Sequence, residues 1–334
     1  MTVPAAFEPA GARAVAVRVP ATSANLGPGF DTLGLALSVY DELVVTALPE
    51  PGLEIHVTGE GAGEVPTDAS HLVVRSMAYA FEAVGRELPG IRLDARNTIP
   101  HGRGMGSSGA AVVAGLLAAK GLLAGEVEFG PDTLLRLATE LEGHPDNVAP
   151  ALFGGLTIAW IDENGPQHKK LLVHRGVSPL VFVPEFTMST SVARGLAPLQ
   201  VPREDAVFNV SRSALLIAAL TQSPELLLAA TEDKLHQSYR AQAMPATDAL
   251  VLGGRGGAGL GALKSLSAHP EDRALLRLRA PRRPGGAPPL AARPLRGAAP
   301  ARQDPDLAAR HQRHARRRPP RVPRCASTRR RGAP

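Results

Sequence analysis

The chain has 334 residues, of which 44% are hydrophobic and 20% are charged, values that are ordinary for a globular protein and exclude a wholly unstructured chain. Its net charge of +6 is unevenly spread, because residues 251–334 hold 20 of the 37 Lys and Arg residues but only 4 of the 31 Asp and Glu residues. One cysteine excludes an intrachain disulfide, no apolar run is long enough to span a membrane, and no signal-peptide pattern opens the chain, so we expect a cytoplasmic protein.

The first 100 residues alternate between strand and helix patterns. Strands are predicted over residues 14–22, 41–48, 54–61 and 91–99. An amphipathic helix is predicted over residues 70–88, with Ser70 as the residue that opens it. The last of these strands leads into a glycine-rich segment.

From residue 107 to residue 250 the alternation continues with more helix than strand. Helices are predicted over residues 107–125, 130–143, 211–222 and 224–240, and strands over 154–162 and 179–186. Helices mixed with strands that pair as antiparallel hairpins favour an α+β fold over a doubly wound parallel sheet.

After about residue 251 the composition changes to Arg, Pro, Ala and Gly, and the periodicity ends. Such a segment buries too little apolar surface to offset the entropy of ordering, so we expect most of it to be unstructured, with one short helix over residues 269–279. Two origins compete: a basic tail that binds nucleic acid, and an out-of-frame translation of a GC-rich gene. The second is favoured, and the tail has no aromatic residues on which single-stranded bases could stack.

The segment IPHGRGMGSSGAA, residues 99–111, has four glycines and two serines between a predicted strand and a predicted helix. It matches the dinucleotide pattern G-x-G-x-x-G, but Pro100 and His101 separate the glycines from the strand, and no acidic residue ends a second strand about 20 residues later. The Walker and protein-kinase motifs do not occur. Backbone N–H groups at a helix start are typical of a phosphate site, and the alternative is a turn that only caps the helix.

This glycine loop resembles the phosphate-binding motif of the GHMP small-molecule kinases, with Pro100 four residues before Gly104 and Gly-Ser-Ser-Gly-Ala closing it. Met105 replaces the usual Leu with a side chain of similar volume. The resemblance implies that ATP is bound, with the phosphates and adenine contacted by Pro100, Gly102, Arg103, Gly104, Met105, Gly106, Ser107, Ser108, Gly109 and His71.

A segment near the N-terminus resembles the homoserine-kinase branch of that family. VRVPATSANLGPGFDTLGLAL, residues 17–37, matches the first motif of the branch, and a plain strand and turn would not explain its polar residues Ser23, Asn25 and Asp31. The resemblance implies that Asn25 lies near the hydroxyl to be phosphorylated and that Asp31 faces the α-ammonium group. These two residues and Glu142 form the implied catalytic set, with Asp31 as general base the minor alternative.

A second segment, ELEGHPDNVAPALFGGL at residues 140–156, resembles another motif of the same branch. The resemblance implies that Glu142 binds Mg²⁺ together with Ser108. Few protein oxygens combined with phosphates suit this ion. By the same resemblance, His144 and Asn147 line the homoserine pocket.

Homoserine is a zwitterion, and its carboxylate calls for a planar cationic fork, which Arg supplies and Lys does not. Arg194, with Thr190 before it, and Arg240 fall in sequence contexts that match the family. The resemblance implies ATP- and Mg²⁺-dependent phosphorylation of the L-homoserine hydroxyl in threonine biosynthesis, by a homodimer. Two alternatives stay open: another GHMP kinase acting on mevalonate or a sugar, and a non-enzyme whose basic tail binds nucleic acid.

The resemblance covers about residues 15–250 and then ends. It implies a GHMP kinase fold with a ribosomal-S5-like ATP-binding domain over residues 1–165 and a smaller ferredoxin-like α+β domain over 166–250, incomplete here and followed by the tail, 251–334. Relatives continue into a third glycine motif, for which residues 257–259 are a poor substitute. Because missing strands would expose sheet edges and apolar faces, we expect lower stability than in relatives and impaired turnover.

Overall fold

The computed structural model describes residues 13–181, 183, 196–241, 260–264 and 275–279. The strands are β1 (Ala14–Ala24), β2 (Leu33–Ala47), β3 (Leu53–Gly59), β4 (Ile91–Asn97), β5 (Leu156–Asp162), β6 (Gly165–Leu171), β7 (Leu260–Lys264) and β8 (Leu275–Arg279). The helices are α1 (Leu72–Glu82), α2 (Ser107–Leu122), α3 (Pro131–Glu142), α4 (Pro145–Phe153), α5 (Arg203–Thr221), α6 (Leu227–Ala230) and α7 (Gln237–Ala241), with a 3₁₀ turn at Pro224–Leu226. Among the helices described, none combines the length and apolar character needed to cross a bilayer.

The first six strands form one mixed sheet in the order β3-β4-β2-β5-β6, with β1 paired along β2. Strand β2 is long enough to serve three neighbours: β1 along most of its length, β5 near its start and β4 near its end. These pairs and β5–β6 are antiparallel, whereas β3 and β4, which α1 connects, are parallel. The antiparallel hairpins confirm the α+β prediction.

Helix α2 is the central core helix, because ten of its sixteen residues are buried. Its small side chains allow neighbouring backbone to come close: a Cβ on Gly115 would lie 2.5 Å from the carbonyl oxygen of Val73 in α1. At its start, the backbone N–H of Thr22 in β1 donates to the carbonyl of Met105, at 3.0 Å. The start of α2 and the glycine loop before it are therefore fixed against the sheet.

Most of the predicted elements are confirmed with boundary shifts of a few residues: β1, β3 to β5, α2 and α3. Two predictions cover only the second part of an element, because β2 begins at Leu33 rather than at residue 41 and α5 begins at Arg203 rather than at residue 211. The helix predicted over residues 70–88 is shorter: it begins at Leu72, with His71 as its N-cap, and ends at Glu82. Ser70 does not cap the helix because its N–H and hydroxyl both donate to Asp68 Oδ1, at 2.8 and 2.5 Å. This local hydrogen-bonded turn competes with helix formation, as is usual for Ser and Asp.

The single helix predicted over residues 224–240 is wrong, because the structure divides it into the 3₁₀ turn, α6 and α7. The Asp233 carboxylate accepts hydrogen bonds from the backbone N–H groups of Leu235, His236 and Gln237, at 3.2, 2.9 and 2.7 Å. A carboxylate that satisfies these groups starts a new helix at this point.

Before residue 250, two elements lie where no element was predicted. Helix α4 follows directly on α3, with Pro145 in its first turn, where a proline needs no hydrogen-bonded N–H. Strand β6 is largely polar and pairs with β5, so this sheet continues past residue 165. The strand predicted over 179–186 is absent at the described residues 179–181 and 183.

The segment predicted to be unstructured contains the antiparallel pair β7 and β8. The short helix predicted over residues 269–279 is wrong for its last five residues, which form β8. Leucine and arginine alternate over residues 276–279, and a period of two suits a strand better than a helix. The substitute glycine segment, residues 257–259, lies outside the described residues.

Candidate active site

The glycine loop adopts a backbone that residues with a Cβ rarely adopt, with φ values of 65°, 76° and 67° at Gly102, Gly104 and Gly106. A Cβ on Gly106 would lie 2.0 Å from Thr22 Oγ1 and 3.1 Å from Asn147 Oδ1. The loop thus lies directly on two polar side chains, and Gly106 is required both by its conformation and by the lack of space.

Thr22 joins the three sequence motifs. Its backbone N–H donates to the carbonyl of Met105 in the glycine loop, and its hydroxyl donates to Asn147 Oδ1 at 3.0 Å. Thr22 and Asn147 are both buried. The sequence analysis did not single out Thr22, although it stands three residues before Asn25 in a polar stretch that follows a buried strand.

The start of α2 meets the end of α3 at Ser108 and Glu142. The Ser108 hydroxyl donates to Glu142 Oε1 at 2.7 Å, across 34 residues of sequence. Helix α2 begins at Ser107, so the N–H groups of its first turn lack partners within the helix, and the positive end of the helix dipole lies here. The structure therefore brings the predicted pair together at a helix end that favours anions.

The segment after Glu142 forms the first turn of α4. His144 is the N-cap residue, and its Nδ1 forms a hydrogen bond with Oδ1 of Asp146. Asp146 is almost fully buried, and a carboxylate in the first turn of a helix is stabilised by the helix dipole. Asp146 therefore orients the His144 ring. The sequence analysis quoted Asp146 within its motif but gave it no role.

Residues 25–31, called the acceptor loop below, carry Asn25 and Asp31 in a strained backbone. Asn25, Leu26 and Asp31 all have positive φ, at 67°, 37° and 54°. The Asp31 N–H donates to Asn25 Oδ1 at 2.9 Å, which closes the loop, and Leu26 is fully buried. The structure thus brings the two predicted residues together, and strain of this kind concentrates at functional sites.

Arg240 lies beside this loop although it is more than 200 residues away in sequence. Its side chain is buried, and the guanidinium carbon lies 5.3 Å from the ring centre of Phe30. That distance allows a cation–π contact with the residue next to Asp31. The other residues predicted to bind homoserine from this side, Thr190 and Arg194, lie outside the described residues.

His71 is buried at the N-cap of α1, and its Nδ1 has no hydrogen-bond partner within the part of the chain that the structure describes. Burial lowers the pKa of His71, and the charge of nearby His101 lowers it further. The ring is therefore neutral at physiological pH. His101 belongs to the glycine loop, so His71 lies near that loop, and Arg103 is half-buried within it.

Residues 71–155 match the family model for the N-terminal domain of GHMP kinases. The chain is 71% identical over 239 residues to homoserine kinase from Leifsonia xyli subsp. xyli, a match that covers 72% of this chain and 74% of that protein. Homoserine kinase from Streptomyces coelicolor is 52% identical over 241 residues, covering 72% of this chain and 78% of that protein. These matches confirm the resemblance drawn from the motifs.

A solved structure agrees with the sequence matches. Homoserine kinase from Cytophaga hutchinsonii superposes with a TM-score of 0.71 at 28% sequence identity, over 82% of this chain and 87% of that chain. The GHMP kinase fold predicted from the motifs is thereby confirmed.

Proposed function

The chain belongs to the homoserine kinase family of the GHMP kinases, and from this premise we propose that it transfers the γ-phosphoryl group of ATP to the side-chain hydroxyl of L-homoserine. The products are ADP and O-phospho-L-homoserine. The observation that carries the proposal is the contact of Ser108 with Glu142 at the start of α2, because it joins two sequence motifs at a helix end that favours phosphate.

ATP is the donor in this proposal, and its phosphates would lie against the glycine loop. Backbone N–H groups of the loop and of the first turn of α2 supply donors without side-chain bulk. The hydroxyls of Ser107 and Ser108 add to these donors. The buried and neutral His71 supplies a ring nitrogen without a described protein partner, which suits a hydrogen bond with the adenine base.

Mg²⁺ is proposed as the metal, held by Glu142 and Ser108. The fit rests on the donor set: one carboxylate and one hydroxyl within 2.7 Å of each other are hard oxygen ligands, and two protein ligands leave room for phosphate oxygens and water. When bound, the ion would neutralise the charge of the phosphates as the phosphoryl group is transferred.

Homoserine would lie against the acceptor loop. In this proposal, Asp31 would pair with the α-ammonium group, and Arg240, together with Thr190 and Arg194, would bind the carboxylate. Asn25 would lie near the reacting hydroxyl, and His144 and Asn147 would line the pocket. These roles follow the family resemblance, and the contact of the Arg240 guanidinium with Phe30 supports the role given to Arg240.

The chemistry requires little covalent participation by the protein. The homoserine oxygen forms a bond to the γ-phosphorus while the bond from phosphorus to the β–γ bridging oxygen breaks, and the hydroxyl proton is released. The chain contributes position and charge: Asp31 and Arg240 orient the acceptor, and the N–H groups at the start of α2 stabilise the charge on the phosphates. Asp31 as the proton acceptor stays the minor alternative.

The proposal is tested by measuring ADP release from the full chain with ATP, Mg²⁺ and a panel of alcohols. We expect L-homoserine to be turned over well above L-serine, mevalonate and galactose. A preference for mevalonate or galactose would replace the proposal with another GHMP kinase activity. ADP release that does not depend on any alcohol would contradict phosphoryl transfer to an acceptor.

A further inference from the structure

The acceptor loop is held from outside by side chains that no motif identified. Asn209 Nδ2 in α5 donates to the carbonyl of Pro28 at 3.0 Å, and the Ser213 hydroxyl, one helical turn later, donates to the same oxygen at 2.5 Å. His236 Nε2 donates to the neighbouring carbonyl of Gly27 at 2.7 Å. Two consecutive carbonyls of the loop are thus held by three donors that lie 181 to 209 residues away in sequence.

The loop needs such support because its backbone is unfavourable on its own. Three non-glycine residues and Gly27 have positive φ, a conformation that persists only where the surroundings impose it. Within the loop, the hydrogen bond from Asp31 N–H to Asn25 closes the turn, but it does not fix the turn relative to the rest of the molecule. The outer donors fix that relation.

His236 is itself rigidly placed. Its side chain is fully buried, and its ring stacks on Phe30 with centroids 5.0 Å apart and an interplanar angle of 27°. Asp233 holds its backbone N–H at 2.9 Å, and an oxygen of the same carboxylate lies 3.7 Å from Nε2. Because the Gly27 carbonyl can only accept a hydrogen bond, Nε2 must carry the proton in this arrangement.

His236 also lies one helical turn before Arg240. The Arg240 N–H donates to the His236 carbonyl at 3.1 Å, and both side chains contact Phe30. One short segment therefore carries a proposed carboxylate-binding group and the donor that holds the loop of Asp31. The distance between the Asp31 carboxylate and the Arg240 guanidinium, which would bind the two charges of a zwitterionic substrate, depends on this segment.

We propose that His236 and Asn209 are positioning residues for the phosphorylation of homoserine: by holding the carbonyls of Gly27 and Pro28, they fix Asn25 and Asp31 relative to Arg240. Neither residue is required to touch the substrate. This inference rests on the proposed function for its kinetic consequence, whereas its structural consequence, an ordered acceptor loop, does not depend on the substrate.

The kinetic test compares His236→Ala with His236→Gln in the full chain. Loss of the donor in His236→Ala should lower kcat/KM for homoserine by roughly 10- to 100-fold, with KM for ATP changed less than about 2-fold. His236→Gln, whose side-chain amide can still donate to the Gly27 carbonyl, should recover most of the loss. His56→Ala, on the exposed face of β3, is the matched histidine control and should leave kcat/KM for homoserine and KM for ATP unchanged.

The structural test measures hydrogen exchange of the backbone amides. The acceptor loop should exchange at least about 10-fold faster in His236→Ala and in Asn209→Ala, while α2 stays protected. Ser213→Ala, which leaves Asn209 as a second donor to the same carbonyl, should have a smaller effect. If the histidine variant does not fold, the Asn209 and Ser213 variants decide the question by the same two measurements.

The two proposals fail separately. If the wild-type chain binds ATP but phosphorylates another alcohol, the proposed function is overturned. The hydrogen-exchange measurement then still tests the positioning role. The positioning role would be overturned if the wild-type chain uses homoserine but hydrogen exchange of the acceptor loop is unchanged in the variants. It would also be overturned if the variants change KM for ATP as much as kcat/KM for homoserine.

Discussion

The two sides of the candidate active site are built differently. The phosphate-binding part of the nucleotide side, made of the glycine loop and Glu142, lies within residues 99–142 and uses mainly backbone groups around the start of one core helix. The acceptor side joins the acceptor loop near the N-terminus to α5 and α7 through hydrogen bonds that span 181 to 209 residues.

This difference has a consequence for stability. A site formed by neighbouring elements in one core persists as long as that core is folded. A site assembled from distant segments also depends on those segments, and short helices such as α7 have few internal hydrogen bonds of their own. Local unfolding near residues 203–241 should therefore weaken homoserine binding before it weakens nucleotide binding.

The largest effect is expected on the nucleotide side, from Gly106→Ala. The new Cβ would lie 2.0 Å from Thr22 Oγ1 on a left-handed backbone, so the free energy of unfolding should fall by about 2 to 5 kcal/mol and ATP binding should be lost. Calorimetry of ATP binding and thermal melts provide the measurement. Gly63→Ala, at φ 79° with nothing within 4 Å of the new Cβ, should cost only about 1 kcal/mol. Equal effects at both positions would contradict the close approach.

Glu142→Gln should come next, with kcat lowered on the order of 100-fold and homoserine binding unchanged. The substitution keeps the shape of the side chain but removes the charge that faces the Ser108 hydroxyl. The control is Glu140→Gln on the same helix, which removes an exposed ion pair with Arg136, leaves an oxygen that can accept from the Tyr79 hydroxyl, and should change kcat less than about 2-fold. If steady-state kinetics show a similar loss of kcat for both variants, the assignment of Glu142 as a metal ligand would be wrong.

Thr22→Val should affect both sides by a moderate amount. It removes the donor to the buried Asn147 oxygen while keeping the volume, so the free energy of unfolding should fall by about 1 to 3 kcal/mol, with KM raised for ATP and for homoserine together. Thr58→Val, whose hydroxyl donates from an exposed position on β3, is the matched control. A change in only one of the two KM values would show that Thr22 does not couple the sides.

The smallest effect is a pH dependence that belongs to the nucleotide side. Burial lowers the pKa of His71 below its ordinary value of 6.5, so the unfolded chain binds the proton more readily than the folded chain. The stability that the neutral ring contributes is complete above about pH 6.5 and is lost as the pH falls below it. The melting temperature of His71→Asn should therefore depend less on pH than that of the wild type between about pH 5 and 7. An unchanged slope in that variant would assign the dependence to another group.

The nucleotide side was largely predictable from sequence because its determinants are local. Glycines 102, 104 and 106 need positive φ, Ser107 begins α2, and Glu142 is the last residue of α3, one residue before the predicted end of that helix. The strands β1 and β3 to β5, and the second part of β2, were predictable for the same reason, since alternation along a strand depends on its own residues.

On the acceptor side, the residues proposed to bind the substrate were predictable from sequence, but the side chains that hold the acceptor loop in place were not. The motif included Asn25 and Asp31. The donors Asn209, Ser213 and His236 lie in or next to helices, where the sequence pattern shows helical periodicity but not which side chains contact the loop. The break between α6 and α7 was missed because a single side chain, Asp233, creates it. The homodimer, the cytoplasmic location, the domain division and the reduced stability stay predictions.

The most direct test of the account is ³¹P NMR of the full chain with ATP, Mg²⁺ and L-homoserine. The account predicts one new phosphomonoester resonance that grows in equal amount with ADP and is nearly absent with Glu142→Gln. Release of inorganic phosphate with ADP and no phosphomonoester, or an equal rate with Glu142→Gln, would contradict phosphoryl transfer from the start of α2 to a homoserine held beside it.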